Sequence, residues 1–191
     1  MGLSRAEEFV FFLLHGYDVP GLNQLMTFFS GQLLWLPLAS FLIWKIFREH
    51  GAKGSLKLVL LALLLLSVVD TSTSYFFKNL VRRLRPCKML ELQDRLAQFG
   101  QGCGGKWGFF SSHAANSMAL GVFLAPFARL SFWEKALLGG TIFLVGFSRI
   151  YLGVHLPLDI VAGYLWGALL AIGWVVVARD AIKEPGAASS K

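Results

Sequence analysis

The chain has 191 residues, 55% of them hydrophobic, and a net charge of +7; its mean hydropathy is +0.60. A soluble domain is about 45–50% apolar, and several apolar stretches here approach the roughly 20 residues that cross a bilayer core, so the composition excludes an ordinary soluble domain and indicates an all-α, polytopic membrane helix bundle. No stripe of stacking aromatics accompanies the positive charge, which excludes nucleic acid as a partner and leaves cytoplasmic loops and anionic lipid head groups to account for it.

In chain order, residues 3–15 come first. Glu7 and Glu8 precede the first apolar run, so this is not a cleaved signal peptide. Phe9, Phe12 and Leu13 share a helical face, which predicts an amphipathic helix that lies in the interface or inserts as a sixth membrane element. GYDVPG (16–21) ends it. Spans are then predicted at 22–47, 56–78, 111–128, 132–147 and 156–178, giving five to six membrane helices. A loop at 48–57 separates the first two spans, and a polar connector at 79–110 separates the second from the third. Residues 1–183 read as one membrane domain, and the small polar tail EPGAASSK (184–191) as disordered.

Alternating spans place Lys45, Arg48, Lys53, Lys57, Arg129, Lys135, Arg179 and Lys183 on one side, which the positive-inside rule makes cytoplasmic. The connector and residues 148–155 then share the outer side. That connector also holds Lys78, Arg82, Arg83, Arg85, Lys88, Arg95 and Lys106, positive charge on the wrong side for a topology signal. Either acidic lipids or an anionic ligand accounts for it.

Three polar stretches reach this outer face: KNLVRRLRP (78–86), FFSSHAAN (109–116) and SRIYLGVHLPLD (148–159). Phosphate suits them, because it calls for several fixed cations and for arginine forks. Lys78, Arg85 and Arg149 supply these, while Ser111 or Ser112 could cap the third span, whose first N–H groups favour an anion. Asp159 follows His155 by four residues, and Pro157 suits a first helical turn. Asp159 then either orients the His155 ring, freeing its other nitrogen as a nucleophile, or merely caps the helix. His113 could protonate a leaving oxygen.

Asp70, Ser74 and Lys78 form a stripe at four-residue spacing. Asp70 is expected either to face the bundle interior in support of the cations or to make a structural hydrogen bond to a neighbouring helix. Asn116 and Ser117 either brace the His113 ring or serve as polar contacts between helices. Cys87 and Cys103 both fall in the outer connector, where an oxidising compartment would permit a disulfide. No zinc-like spacing accompanies them, so no metal is expected.

These residues resemble the type-2 phosphatidic acid phosphatase, or lipid phosphate phosphatase, superfamily in its small bacterial membrane form. K-x6-R-P is Lys78 to Arg85–Pro86, P-S-G-H resembles FSSH (110–113), and S-R-x5-H-x3-D is Ser148, Arg149, His155 and Asp159. The resemblance covers about residues 70–180. It departs at Phe110, where proline is usual, and at Ser112, where glycine is usual. It implies that His155 forms a phosphohistidine, Asp159 orients it and His113 acts as general acid. Lys78, Arg85, Arg149, Ser111 and the Ser112 backbone would hold the phosphate oxygens, with no cofactor or metal. The expected partners are the bilayer and a phosphorylated membrane lipid met at the outer face of a bacterial inner (cytoplasmic) membrane. Undecaprenyl diphosphate is the first candidate; lipid A phosphates, phosphatidylglycerol phosphate, phosphatidic acid and transfer to a second lipid remain open. A lipid-phosphate transporter or scaffold could use the same cations, but has no use for the histidines.

Overall fold

A computed structural model describes residues 3–16, 19, 21–31, 34–96 and 102–182. The expected disordered tail lies outside the described residues. Among them the secondary structure is helical, apart from one isolated antiparallel bridge between Leu84 and Trp107. The helices are α1 (Arg5–Leu14), α2 (Leu22–Ser30), α3 (Trp35–Thr71), α4 (Lys78–Val81), α5 (Leu90–Gln93), α6 (Ser112–Leu124), α7 (Phe132–Tyr151) and α8 (Pro157–Ile182). A π-helical segment, Ser72–Phe77, joins α3 to α4 without interrupting the rod.

The predicted span at 22–47 exists as a crossing but not as one helix. At one end of α7 the Tyr151 hydroxyl donates to Asn23 at 2.9 Å, and at the other Lys45 meets Glu134 at 3.0 Å. Helix α2 and the first part of α3 therefore run antiparallel to α7. Hydropathy cannot register the interruption, because the residues on both sides of it are apolar.

The predicted loop at 48–57 is corrected: it is helical except at Gly51, whose φ of 62° and ψ of −175° turn the chain back on itself. Before Gly51, α3 descends beside α7. After it, α3 rises beside α8, where the Trp174 indole donates to the Leu61 carbonyl at 3.0 Å and Lys57 to the Ala181 carbonyl at 3.0 Å. Lysine and arginine are good helix formers, so the charges that suggested a loop fit within helix, and one glycine with positive φ suffices for the reversal. Trp35–Val81 and Pro157–Ile182 are long and apolar enough to cross a membrane.

Leu42, Ile46, Leu58, Leu65 and Val69 of α3 pack with Ala115, Ala119 and Phe123 of α6 and Ala171 of α8 in the main core. Large apolar side chains also cover the outside, among them Leu60, Leu64, Phe143, Leu165, Leu169 and Ile172. So extensive an exposed apolar surface suits hydrocarbon rather than water. Gly163 and Gly167 bring α8 against α6: a Cβ on either would lie 2.7 Å from the Ser111 carbonyl oxygen or 2.2 Å from that of Ala115. Small residues four apart permit such backbone contact between membrane helices.

The amphipathic helix is α1. Ser4 caps it by accepting from the Glu7 N–H at 3.2 Å. Phe11, fully buried, docks it against Leu92, Ala114, Leu156 and Ile160, while Phe9 and Leu13 of the predicted apolar stripe point outward.

Candidate active site

The helix bundle has two differently charged ends. At one, Lys45, Lys57 and Arg129 meet Glu134, the Ala181 carbonyl and Glu49. At the other, the three polar stretches converge, as their placement on one side requires.

The first stretch leaves α4 with Arg82 in a left-handed conformation. It then runs extended through Leu84, which pairs with Trp107: Gly108 N–H donates to the Arg83 carbonyl at 2.8 Å and Arg85 N–H to the Lys106 carbonyl at 3.3 Å. Residues two apart in extended backbone share a face, so Arg83 and Arg85 point the same way. Arg85 is buried, and its Nε donates to the Trp107 carbonyl at 3.2 Å. Burial pushes its guanidinium pKa down, and the Asp159 carboxylate opposes that shift. Cys87, two residues on, is joined to Cys103 in a disulfide with a Cα–Cα distance of 6.0 Å, which ties the two arms of the connector together.

The second stretch opens α6. Ser111 is its N-cap, fully buried, accepting from the Ala114 N–H at 3.5 Å. The Ser111 N–H donates to the Asp159 carbonyl at 3.0 Å. Ser112, which stands where glycine is usual, uses its hydroxyl: it accepts from Lys78 Nζ at 2.9 Å and lies 3.0 Å from Thr73 Oγ1 and 3.3 Å from Ser74 Oγ. The substituent thus holds Lys78 instead of obstructing the loop. Phe110, in place of proline, stacks on Phe77 with ring centroids 4.3 Å apart. His113 is exposed and lies within electrostatic reach of Arg149, His155, Arg85 and Lys78.

The third stretch ends α7 and begins α8. Ser148 is buried, and its hydroxyl donates to the Val145 carbonyl at 2.7 Å. Arg149 donates to the Ser30 hydroxyl at the end of α2. Among the described residues its Nε is buried with no hydrogen-bond partner. A buried, unsatisfied guanidinium N–H is rare and calls for an acceptor. Pro157 is the first residue of α8. Asp159 Oδ2 accepts from the Leu156 N–H at 3.0 Å and lies 3.4 Å from His155 Nδ1, so it both caps the helix and faces the imidazole. Asp159 and His155 are almost wholly buried. Burial holds the His155 pKa down to about 4, against the raising effect of its bond to Asp159, so the ring is neutral near pH 7.

Asp70 does not face the interior. It is exposed, and its carboxylate accepts from Asn116 Nδ2 at 3.3 Å, one turn below the contact of Lys78 with Ser112. The four-residue stripe on α3–α4 thus meets a four-residue stripe on α6, so Asp70 makes a hydrogen bond to a neighbouring helix while its charge also acts on Lys78.

Several contributors were not singled out from sequence. Arg83 donates to Asp159 Oδ1 at 3.2 Å and also to Glu7 of α1. Thr73 buttresses Ser112 beside Ser74 of the predicted stripe, and Ser30 holds Arg149. The alternation that places Arg83 beside Arg85 was readable; the contacts of Glu7 and Ser30 cross the fold and left no local signal. Among the described residues no group of three His, Cys, Asp or Glu side chains could hold a metal.

A buried histidine facing a carboxylate, with arginines on neighbouring elements, is an arrangement suited to a phosphorylated ligand. The PAP2 superfamily matches residues 33–183, and the chain belongs to it; it is a membrane lipid phosphatase of that class. It is 30% identical to a lipid A 4'-phosphatase of Bacteroides thetaiotaomicron, over 91% of this chain and 76% of that protein. It is 29% identical to a lipid A 4'-phosphatase of Porphyromonas gingivalis, over 91% of this chain and 71% of that one. An undecaprenyl-diphosphatase of Sulfolobus acidocaldarius is 27% identical over 85% of this chain and 73% of its own. The fold is that of the PAP2-type phosphatidylglycerolphosphate phosphatase of Bacillus subtilis, with a TM-score of 0.69 at 24% identity over 95% of this chain and 87% of that one. It also matches Aquifex aeolicus LpxE, with a TM-score of 0.63 at 27% identity over 87% of this chain and 93% of that one.

Proposed function

We propose that the chain hydrolyses a phosphate from a membrane lipid at the outer face of a bacterial inner membrane, through a phosphohistidine on His155. The observation that carries this is the pairing of a buried, neutral His155, facing Asp159, with Arg149, whose buried Nε lacks an acceptor among the described residues. With Nδ1 facing Asp159, Nε2 attacks phosphorus. The phosphorus–oxygen bond to the lipid breaks as a nitrogen–phosphorus bond forms, and His113 gives its proton to the departing oxygen. His113 then takes a proton from water, which attacks the phosphohistidine, releases inorganic phosphate and restores both rings. Lys78, Arg85, Arg149 and the N–H groups at the start of α6 stabilise charge on the phosphoryl oxygens. Ser111 holds that helix start in place.

For the lipid, the two relatives near 30% identity, both named for lipid A 4'-phosphate, favour a lipid A phosphate monoester. Undecaprenyl diphosphate, the first expectation from sequence, is the second reading, supported by the Sulfolobus relative. The test is phosphate release by the purified chain from lipid A, undecaprenyl diphosphate, phosphatidylglycerol phosphate and phosphatidic acid. Preference for lipid A by kcat/KM supports the first reading, and preference for undecaprenyl diphosphate replaces it. His155→Ala retaining turnover sinks the mechanism.

A further inference from the structure

Arg83 belongs to neither of the cation positions that the motifs define, yet it is the cation hydrogen-bonded to the buried carboxylate of the site. Asp159 spends Oδ2 on the Leu156 N–H and the His155 ring. Its Oδ1 accepts from Arg83 Nη1 at 3.2 Å. The other arm of the same guanidinium, Nη2, donates to Glu7 Oε2 on α1. The Arg83, Glu7 and Asp159 side chains are 13%, 17% and 0% exposed, so the chain of charges is shielded from water over its length. A guanidinium is planar, and its donors lie in a fixed fork; bridging two carboxylates fixes its plane and thereby the face it offers to Asp159. The Arg83 backbone is fixed too, by the bond from the Gly108 N–H at 2.8 Å. A Cβ on Gly108 would sit 3.1 Å from Asp159 Oδ2, so the connector backbone itself closes over the carboxylate.

Charge gives the arrangement a second effect. Glu7 and Asp159 engage both arms of Arg83, which keeps it from competing for phosphate and leaves Arg85, Lys78 and Arg149 for that purpose. Glu7 sits on the helix whose Phe9 and Leu13 project outward, each 70% exposed, and whose Phe11 is anchored beside Leu156. Arg95 of the connector also pairs with Glu8 and lies 3.9 Å over the Phe12 ring, so α1 is tied to the connector at two points.

We propose that Arg83 is a positioning residue for the His155–Asp159 pair and that Glu7 sets it, which couples the amphipathic helix α1 to the reacting imidazole. This rests on the reading of His155 as nucleophile. The experiment is steady-state phosphate release by the full chain in nanodiscs, with kcat and KM separated and thermal unfolding measured alongside, for Arg83→Gln, Arg83→Lys, Glu7→Gln, the Glu7→Gln/Arg83→Gln pair and His155→Ala. Arg83→Gln should lower kcat roughly 10–100-fold, the range for groups that orient a reacting residue, with KM within about threefold. Arg83→Lys should recover part of that loss. Glu7→Gln should lower kcat alone and add nothing in the Arg83→Gln background, as expected for residues acting through one another. Arg83→Gln with kcat within about twofold of the parent, beside an inactive His155→Ala, overturns the proposal while leaving the phosphohistidine reading intact. A raised KM with unchanged kcat also overturns it, because Arg83 would then bind substrate. An active His155→Ala removes the reading beneath both. Should Arg83→Gln fail to fold, Arg83→Lys and Glu7→Gln decide, and unchanged kcat in both is a refutation.

Discussion

The two ends of the bundle carry similar numbers of cations and treat them in opposite ways. At the end near the start of α7, charges meet singly and near the surface: Lys45 with Glu134, and Arg129, whose side chain is 79% exposed, with Glu49. At the other end Arg85 is 8% exposed, Arg149 has a buried Nε with no acceptor among the described residues, and Lys78 is held by a hydroxyl. Exposed pairs cost little and contribute little. Buried like charges repel and are poorly hydrated, so a fold that gathers them on facing elements is stable with an anion between them. The difference separates cations paired near the surface from cations gathered where the proposed substrate phosphate would sit.

That contrast can be broken most sharply at His155. Its replacement by alanine should lower phosphate release by about 10⁴-fold or more, as for other nucleophiles acting in a unit, with unfolding temperature retained; a smaller loss would mean that water attacks directly. Arg149→Ala follows, with a loss on the order of 10²–10³-fold in kcat and weakened inhibition by vanadate. The pH profile of kcat/KM, corrected for ionisation of the substrate, tests burial. The attacking ring must be neutral, and burial lowers its pKa to about 4. Activity should therefore persist as pH falls past 6.5 and decline with a midpoint near 4; a midpoint at 6.5 would mean a hydrated ring. Reduction of the Cys87–Cys103 bond, which closes a loop of sequence separation 16, should cost about 3 kcal/mol of stability in the chain-entropy model. It should be read by chemical or thermal unfolding with and without reductant. At the opposite end, Lys45→Met should leave turnover unchanged and move the unfolding temperature by no more than a few degrees; a loss of activity there would erase the distinction between the two ends.

Much of this was legible because it is local. His155 and Asp159 lie within one turn, Pro157 marks the helix start between them, and K-x6-R-P spans a single bend. The sidedness of the charged segments followed from counting spans. Other features depend on contacts distant in sequence. Glu7 and Arg83 are 76 residues apart, and Ser30 and Arg149 are 119 apart; nothing in either neighbourhood announces its partner. Gly51 was misread for a different reason, because its charged flanks suggested a loop and helix propensity prevailed. For Asp70 the sequence leaves two readings open, and the fold gives it an exposed position and a hydrogen bond from Asn116 on a neighbouring helix.

The contact of Gly163 and Gly167 with the α6 backbone has a mechanical consequence. His155, the proposed nucleophile, lies just ahead of α8, and His113, the proposed general acid, lies in the first turn of α6. At the two glycines main chain meets main chain, with no α8 side chain between them. Bilayers differ in thickness and lateral pressure, and most helix pairs answer by sliding or splaying on their intervening side chains. The backbone contact at Gly163 and Gly167 opposes such sliding at the end where His113 and His155 sit, which favours a fixed separation of the two rings.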